Sequence, residues 1–155
     1  MAPFESTGNS NKIKLIFFLI SIFLGLIVTG SVLTREKFHI DPKVIQKVQE
    51  KYGQEARDRL VSWEDILRNG GWSDRENLEI INSFFNKRIA FVNDMDLYGE
   101  KDYWATPVEF LSKGAGDCED FAIAKYFSLK MLGVDEAKLR IAYVKALRQN
   151  IFHMV

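Results

Sequence analysis

Apolar positions recur at helical spacing through most of the chain beyond residue 41 and divide it into short helices. In IDPKVIQKVQEKYG, Asp41 takes the N-cap position and Pro42 the first helical position. Val44, Ile45 and Val48 share a face, and Gly53 ends the helix. QEARDRLVSWEDILRNGG repeats the pattern with Ala56, Leu60, Trp63 and Leu67, and stops at Gly70 and Gly71. SDRENLEIINSFFNKRIAFV opens with Ser73 and Glu76 in capping-box register and predicts one apolar face from Leu78, Ile81, Phe85 and Ile89. These stripes are read as core.

The pattern then breaks. NDMDLYGEKDY, residues 93–103, is polar and irregular and reads as a surface loop. Asp94, Asp96 and Asp102 have no calcium-loop spacing, so they are expected to be solvated. WATPVEFLSKG restores a short helix, with Thr106 as cap, Pro107 at the first position and Gly114 as stop. From Phe121 to Leu132 the chain is apolar almost all round, with Lys125, Ser128 and Lys130 as the polar exceptions, which predicts a buried helix. KLRIAYVKAL and IFHMV, separated by RQN, predict a β-hairpin whose second strand reaches Val155.

One stretch has no polar face. Leu15 to Leu33 is uncharged over 19 residues, and at ~1.5 Å per residue it would span about 28 Å, close to the hydrocarbon thickness of a bilayer. Lys12 and Lys14 precede it and no clean A-x-A site follows, which favours an uncleaved signal anchor over a cleaved signal peptide. The expected organisation is a cytoplasmic stub over 1–12, a signal anchor or signal peptide over 13–34, and one exported folded domain over 35–155. Lysine plus arginine and aspartate plus glutamate balance at 21 each, so bulk charge argues against a nucleic-acid partner. Export also sharpens the reading of the lone cysteine. Exported domains stabilised by cysteine use it in pairs, so Cys118 is either inert filler or a functional thiol.

Cys118 lies in GAGDCEDFAIAKY, in the first turn of the expected buried helix, where the macrodipole and the N-terminal N–H groups favour a thiolate. Gly114 and Gly116 would let a substrate backbone approach. A thiol nucleophile needs a base, and the chain has two histidines. His39 reads as a plain surface residue; His153, on the second β-prone run, is either a satisfied core histidine or the base. Counted at about 100° per residue, Asp117, Glu119 and Asp120 share one arc of roughly 160° with Cys118 outside it. Three hard oxygen ligands on one arc would suit calcium; the alternative is that they complement the helix dipole.

YWATPVEFLSKGAGDCEDFAIAKYFSLKMLGV, with LRIAYVKALRQNIFHMV after it, resembles the bacterial transglutaminase-like cysteine proteinases of the LapG type, and the likeness runs from about Trp63 to the C-terminal end. The resemblance implies an α+β, papain-like or transglutaminase-like core with helices packed on an antiparallel sheet. It implies Cys118 as nucleophile and His153 as general base, with calcium held by Asp117, Glu119 and Asp120. It further implies a periplasmic, membrane-attached endopeptidase that cuts the N-terminal retention region of a large surface adhesin at a double alanine and so controls biofilm attachment. Its regulator would be an inner-membrane receptor that senses cyclic di-GMP and sequesters it. The family's triad Asp lies on a strand beyond the histidine, whereas this sequence ends at Val155. The expectation is therefore a core incomplete at the C-terminus and impaired activity. Two rivals stay open: a cell-wall cysteine amidase or acyl transferase, and a non-catalytic membrane-anchored calcium-binding or decoy module.

Overall fold

Local capping chemistry places the helices where the apolar pattern predicts them. The structure is a computed structural model and describes residues 38–155 apart from positions 72 and 149. The stub and the apolar stretch within 1–34 lie outside the described residues. Among the described residues, no helix is long and apolar enough to cross a membrane.

Helix α1, Pro42–Tyr52, is capped by the Asp41 side chain, which accepts the Lys43 N–H. Helix α2, Gln54–Asn69, buries Ala56, Leu60, Trp63 and Leu67. Helix α3, Asp74–Arg88, starts at Ser73, whose hydroxyl accepts the Glu76 N–H and donates to the Glu76 carboxylate. Helix α5, Pro107–Lys113, is capped by Thr106 and closed by Gly114 in the left-handed region at φ 71°. Helix α6, Cys118–Met131, begins at the cysteine itself. The expected boundaries therefore hold within a residue or two.

The core lies between α2, α3, α5 and α6, where Trp63, Phe85, Phe110, Leu60, Ile81 and Leu111 are almost fully buried. The Phe110 ring stacks on Phe85 at 5.8 Å and meets Phe121 edge-on at 4.9 Å, tying α5 to both α3 and α6. Trp63 Nε1 donates to the fully buried Ser128 Oγ at 2.9 Å, and that hydroxyl donates on to the Ala124 carbonyl. Ser128 is thus the polar hinge between α2 and α6. At the N-terminal edge, the exposed His39 ring meets the buried Glu64 carboxylate, which also accepts the Ile40 N–H. His39 is a surface residue that pins the segment leading into α1.

Two expectations need correction. Leu78 is 47% exposed although it was placed on the core face of α3; Asn77, Ile81, Phe84 and Phe85 form that face instead. Helix α6 is not buried all round. Its Asp120, Ala124 and Ser128 side is buried, while Phe127 and Met131 are exposed because α3 and α5 cover only one side.

Two small sheets complete the unit. Strands β1, Ala90–Phe91, and β2, Ala115–Gly116, pair in parallel, with Ala90 opposite Ala115 and Phe91 opposite Gly116. Main-chain bonds Ala90 N to Gly114 O and Val92 N to Gly116 O extend the pairing. Strands β3, Tyr143–Ala146, and β4, Ile151–Met154, form the expected antiparallel hairpin, with Val144 opposite His153. Asn150 takes the left-handed conformation in its turn.

Ser128→Ala should leave the buried indole N–H of Trp63 without an acceptor and lower unfolding free energy by about 1–3 kcal/mol. Removing both partners in Trp63→Phe/Ser128→Ala should lose less than the sum of the single changes, a coupling that a denaturant double-mutant cycle measures directly.

Candidate active site and carboxylate cluster

The parallel pairing decides where the acids meet. Strand β2 delivers the chain into Asp117 and the head of α6, while its neighbour β1 delivers it into Asn93 and the one-turn helix α4, Asp94–Leu97. The two helices therefore begin side by side. Carboxylate oxygens of Asp94, Asp117 and Asp120 lie within 4.8 Å of one another, as do those of Asp94, Asp102 and Glu119. Asp120 is fully buried and accepts the Ala105 N–H at 2.8 Å; Asp94 is 2% exposed and accepts the Tyr103 N–H. One oxygen on each of Asp94, Asp117 and Asp120 is buried without any hydrogen-bond partner.

The thiol adjoins this cluster. Cys118 Sγ donates to Glu119 Oε2 at 3.0 Å and accepts the Met154 N–H at 3.3 Å, so the last residues of β4 lie directly on the sulfur. His153, one residue earlier, borders the same cleft as Cys118 on both sides of the thiol. No hydrogen bond joins the two side chains, and among the described residues no carboxylate contacts the imidazole.

Like charges in partial burial control the proton positions here. Burial, then the neighbouring Glu119 carboxylate, pushes Asp117 up to about 7. Burial acts to raise Glu119 too, but hydrogen bonds from Cys118 and Asp117 take it below its ordinary value. Of the two carboxylates, Asp117 is therefore the one that takes up a proton more readily. Burial, with the Asp94 and Glu119 charges adding to it, pushes Asp120 up to about 6 against the bond from Ala105. Burial also raises the Cys118 thiol; the Met154 N–H opposes this, while Glu119 and Asp117 reinforce it. Without a counter-ion, the cluster keeps the thiol protonated.

Orphaned, buried, hard oxygen donors are what a divalent cation such as calcium requires, and three of them converge here. Asp117 groups with Glu119 beside the thiol and with Asp120 beside Asp94, and Glu119 groups with Asp94 and Asp102; among the described residues no one group holds Asp117, Glu119 and Asp120 together. The residues fit an oxygen-coordinated ion.

The family model for bacterial transglutaminase-like cysteine proteinases, BTLCP, matches residues 49–155. The chain belongs to this family. Among solved structures, EGTA-treated LapG of Legionella pneumophila is 39% identical with a TM-score of 0.62, covering 73% of this chain and 60% of that one. Calcium-bound LapG of the same organism is 40% identical with a TM-score of 0.61, covering 73% and 62%. The chain spans about 60% of the length of those LapG chains. No curated protein matches it. The α+β transglutaminase-like fold expected from the resemblance is the one observed.

As a member of the BTLCP family, the chain departs from three expectations about its site. First, thiol and acids do not face apart: Asp117 is the N-cap residue, with φ −112° and ψ −160°, so a count at 100° per residue does not apply to it, and Glu119 reaches the sulfur. Second, Asp94 is buried in the cluster and starts a helix instead of lying solvated in a loop. Its burial is set by the Tyr103 N–H nine residues later, which no local pattern signals. Third, neither glycine leaves room for substrate. A Cβ at Gly114 would lie 2.7 Å from the Arg59 guanidinium, and one at Gly116 would overlap the Asp120 carboxylate and lie 2.7 Å from the Phe110 ring.

Gly116→Ala should therefore displace Asp120 or Phe110, with an expected loss of about 1–3 kcal/mol of stability. A denaturation midpoint equal to the parent's would show that the carboxylate has space to move.

Proposed function

We propose that the chain is a calcium-dependent cysteine endopeptidase, exported to the periplasm and held at the inner membrane by residues 13–34. Its substrate is the N-terminal retention region of a large surface adhesin, cut at a double alanine to release the adhesin and end biofilm attachment. An inner-membrane receptor that senses cyclic di-GMP is its inhibitor. The observation that carries the reading is a thiol at the first residue of a long helix, in a cleft shared with a histidine and beside three orphaned carboxylate oxygens.

In this reading His153 takes the Cys118 proton and the sulfur attacks the scissile carbonyl carbon. The negative oxygen that forms is stabilised at the N-terminal end of α6, where the Asp117 side chain makes no capping bond. The imidazolium then protonates the leaving amine, and water hydrolyses the thioester to regenerate the thiol. Asp94, Asp117, Glu119 and Asp120 would hold the ion, with Asp102 at its edge. When bound, calcium supplies positive charge that offsets the carboxylates around the sulfur.

A non-catalytic calcium-binding module is the second reading, favoured by the Cys118 hydrogen bond to Glu119 in place of one to His153. Incubating the chain with an adhesin segment that contains the double alanine separates the two. The endopeptidase reading predicts cleavage that disappears on chelation and in Cys118→Ala. Intact substrate with calcium present, or cleavage that survives Cys118→Ala, would overturn it.

The ion site has its own test. In chelator, Asp94→Asn removes one of the crowded charges and should raise unfolding free energy by on the order of 1 kcal/mol. Calcium should then stabilise the parent and leave this variant nearly unmoved, an inversion that thermal unfolding with and without the ion reads.

A further inference from the structure

The cleft around Cys118 is electrically lopsided. On one side a hollow of about 800 Å³ contains Asp102, Asp117 and Glu119 against a single cation, Lys101. On the other, a groove of about 770 Å³ runs along α6, bordered by Lys125, Lys138 and Arg140; among the described residues no Asp or Glu side chain lines it.

The three cations are not equivalent. Lys138 is neutralised by Asp74 at 2.7 Å. Arg140, among the described residues, donates to the main-chain carbonyls of Glu136 and Leu139. Among the described residues, Lys125 Nζ donates to the amide oxygens of Asn82 and Asn86, each at 2.7 Å, which uses two of its three N–H groups, and it lies 5.5 Å from the centre of the Phe121 ring. Burial pushes the Lys125 ammonium down from its ordinary value, the mark of a partly desolvated charge, and among the described residues no carboxylate pairs with it. The two asparagines aim it without neutralising it.

Its position along the helix gives a register. Lys125 lies seven residues after Cys118, close to two turns, so both occupy one face of α6 about 10 Å apart. An extended peptide advances about 3.3 Å per residue, so a chain following the groove from the sulfur reaches Lys125 after three residues. Between them the groove floor is apolar, with Ile89, Phe121 and Ala122.

We propose that Lys125 is a specificity-determining residue that selects an acidic side chain three residues from the scissile bond of a peptide running along α6. The proposal rests on the reading of Cys118 as nucleophile. The residues between bond and acid would be small or apolar, to match the floor. The acidic hollow across the thiol disfavours such a side chain there, so the preference applies to one side of the bond only.

The full chain carrying Cys118→Ala, with calcium, is titrated with labelled peptides built around a central Ala-Ala bond. Each carries Glu or Gln three residues from the bond, on one side or the other, and affinity is read by fluorescence anisotropy. On one side only, the Glu peptide should bind about tenfold tighter than the Gln peptide, the gain of a charge-assisted bond. Adding Lys125→Gln should bring the pair within about twofold, Lys125→Arg should keep the preference, and high salt should weaken it. Equal affinities for Glu and Gln, a preference unchanged by Lys125→Gln, or no measurable binding of any peptide would overturn the proposal. Cleavage of the same peptides by the parent chain is read separately. Cleavage without charge preference defeats this proposal alone, whereas charge-selective binding without cleavage defeats the endopeptidase reading alone.

Discussion

Three aspartates with buried, unpartnered oxygens converge at the head of one helix, and the surrounding structure is arranged to hold them there. Such a cluster repels itself, and each member loses hydration on folding. The fold opposes that with covalent direction and main-chain donors. Parallel pairing of β1 with β2 starts α4 and α6 side by side, Ala105 and Tyr103 each give an N–H to a buried carboxylate, and Gly116 omits the side chain that would occupy Asp120's place. An arrangement that gathers repelling groups and leaves an oxygen open on each suits a divalent cation.

The thiol shares that constraint. The thiol donates a hydrogen bond to Glu119, and Glu119 adjoins Asp117, so the state of the sulfur follows the charge of the cluster. The hairpin acts on the same atom from the opposite side, through the Met154 N–H. Packing explains why this arrangement is rigid. Ser128 and Ala124 fix α6 against Trp63, and Phe110 locks α5 between α3 and α6, so the head of α6 cannot shift without disturbing the core.

Helices were legible in the sequence wherever their signals were local. Asp41, Ser73, Thr106 and Gly114 announce their own ends, and the three- and four-residue steps from Ala56 to Leu67 identify a buried face. Cys118 and the acids beside it were legible as a group because they sit in one motif, whereas His153, far along the chain, was attached to them only by the family resemblance. What escaped depends on contacts distant in sequence. Strands of two residues carry no periodicity, so the parallel pair was invisible, and with it the burial of Asp94. Asp117 misled because it belongs to the cap and not the helix, and the glycines misled because their open space is filled by Arg59, Asp120 and Phe110. Membership of the transglutaminase-like proteinases agrees with the motif reading and with the fold.

Sensitised terbium luminescence tests the central claim most directly. Trp104 Nε1 donates to Asp102 Oδ1 at 2.9 Å, which places an exposed indole antenna at the rim of the acid cluster. Excitation through that indole should produce saturable terbium emission that calcium displaces, and Asp117→Asn should greatly weaken it. Absence of emission, or emission indifferent to both calcium and Asp117→Asn, would contradict the account of a site shaped around a divalent cation.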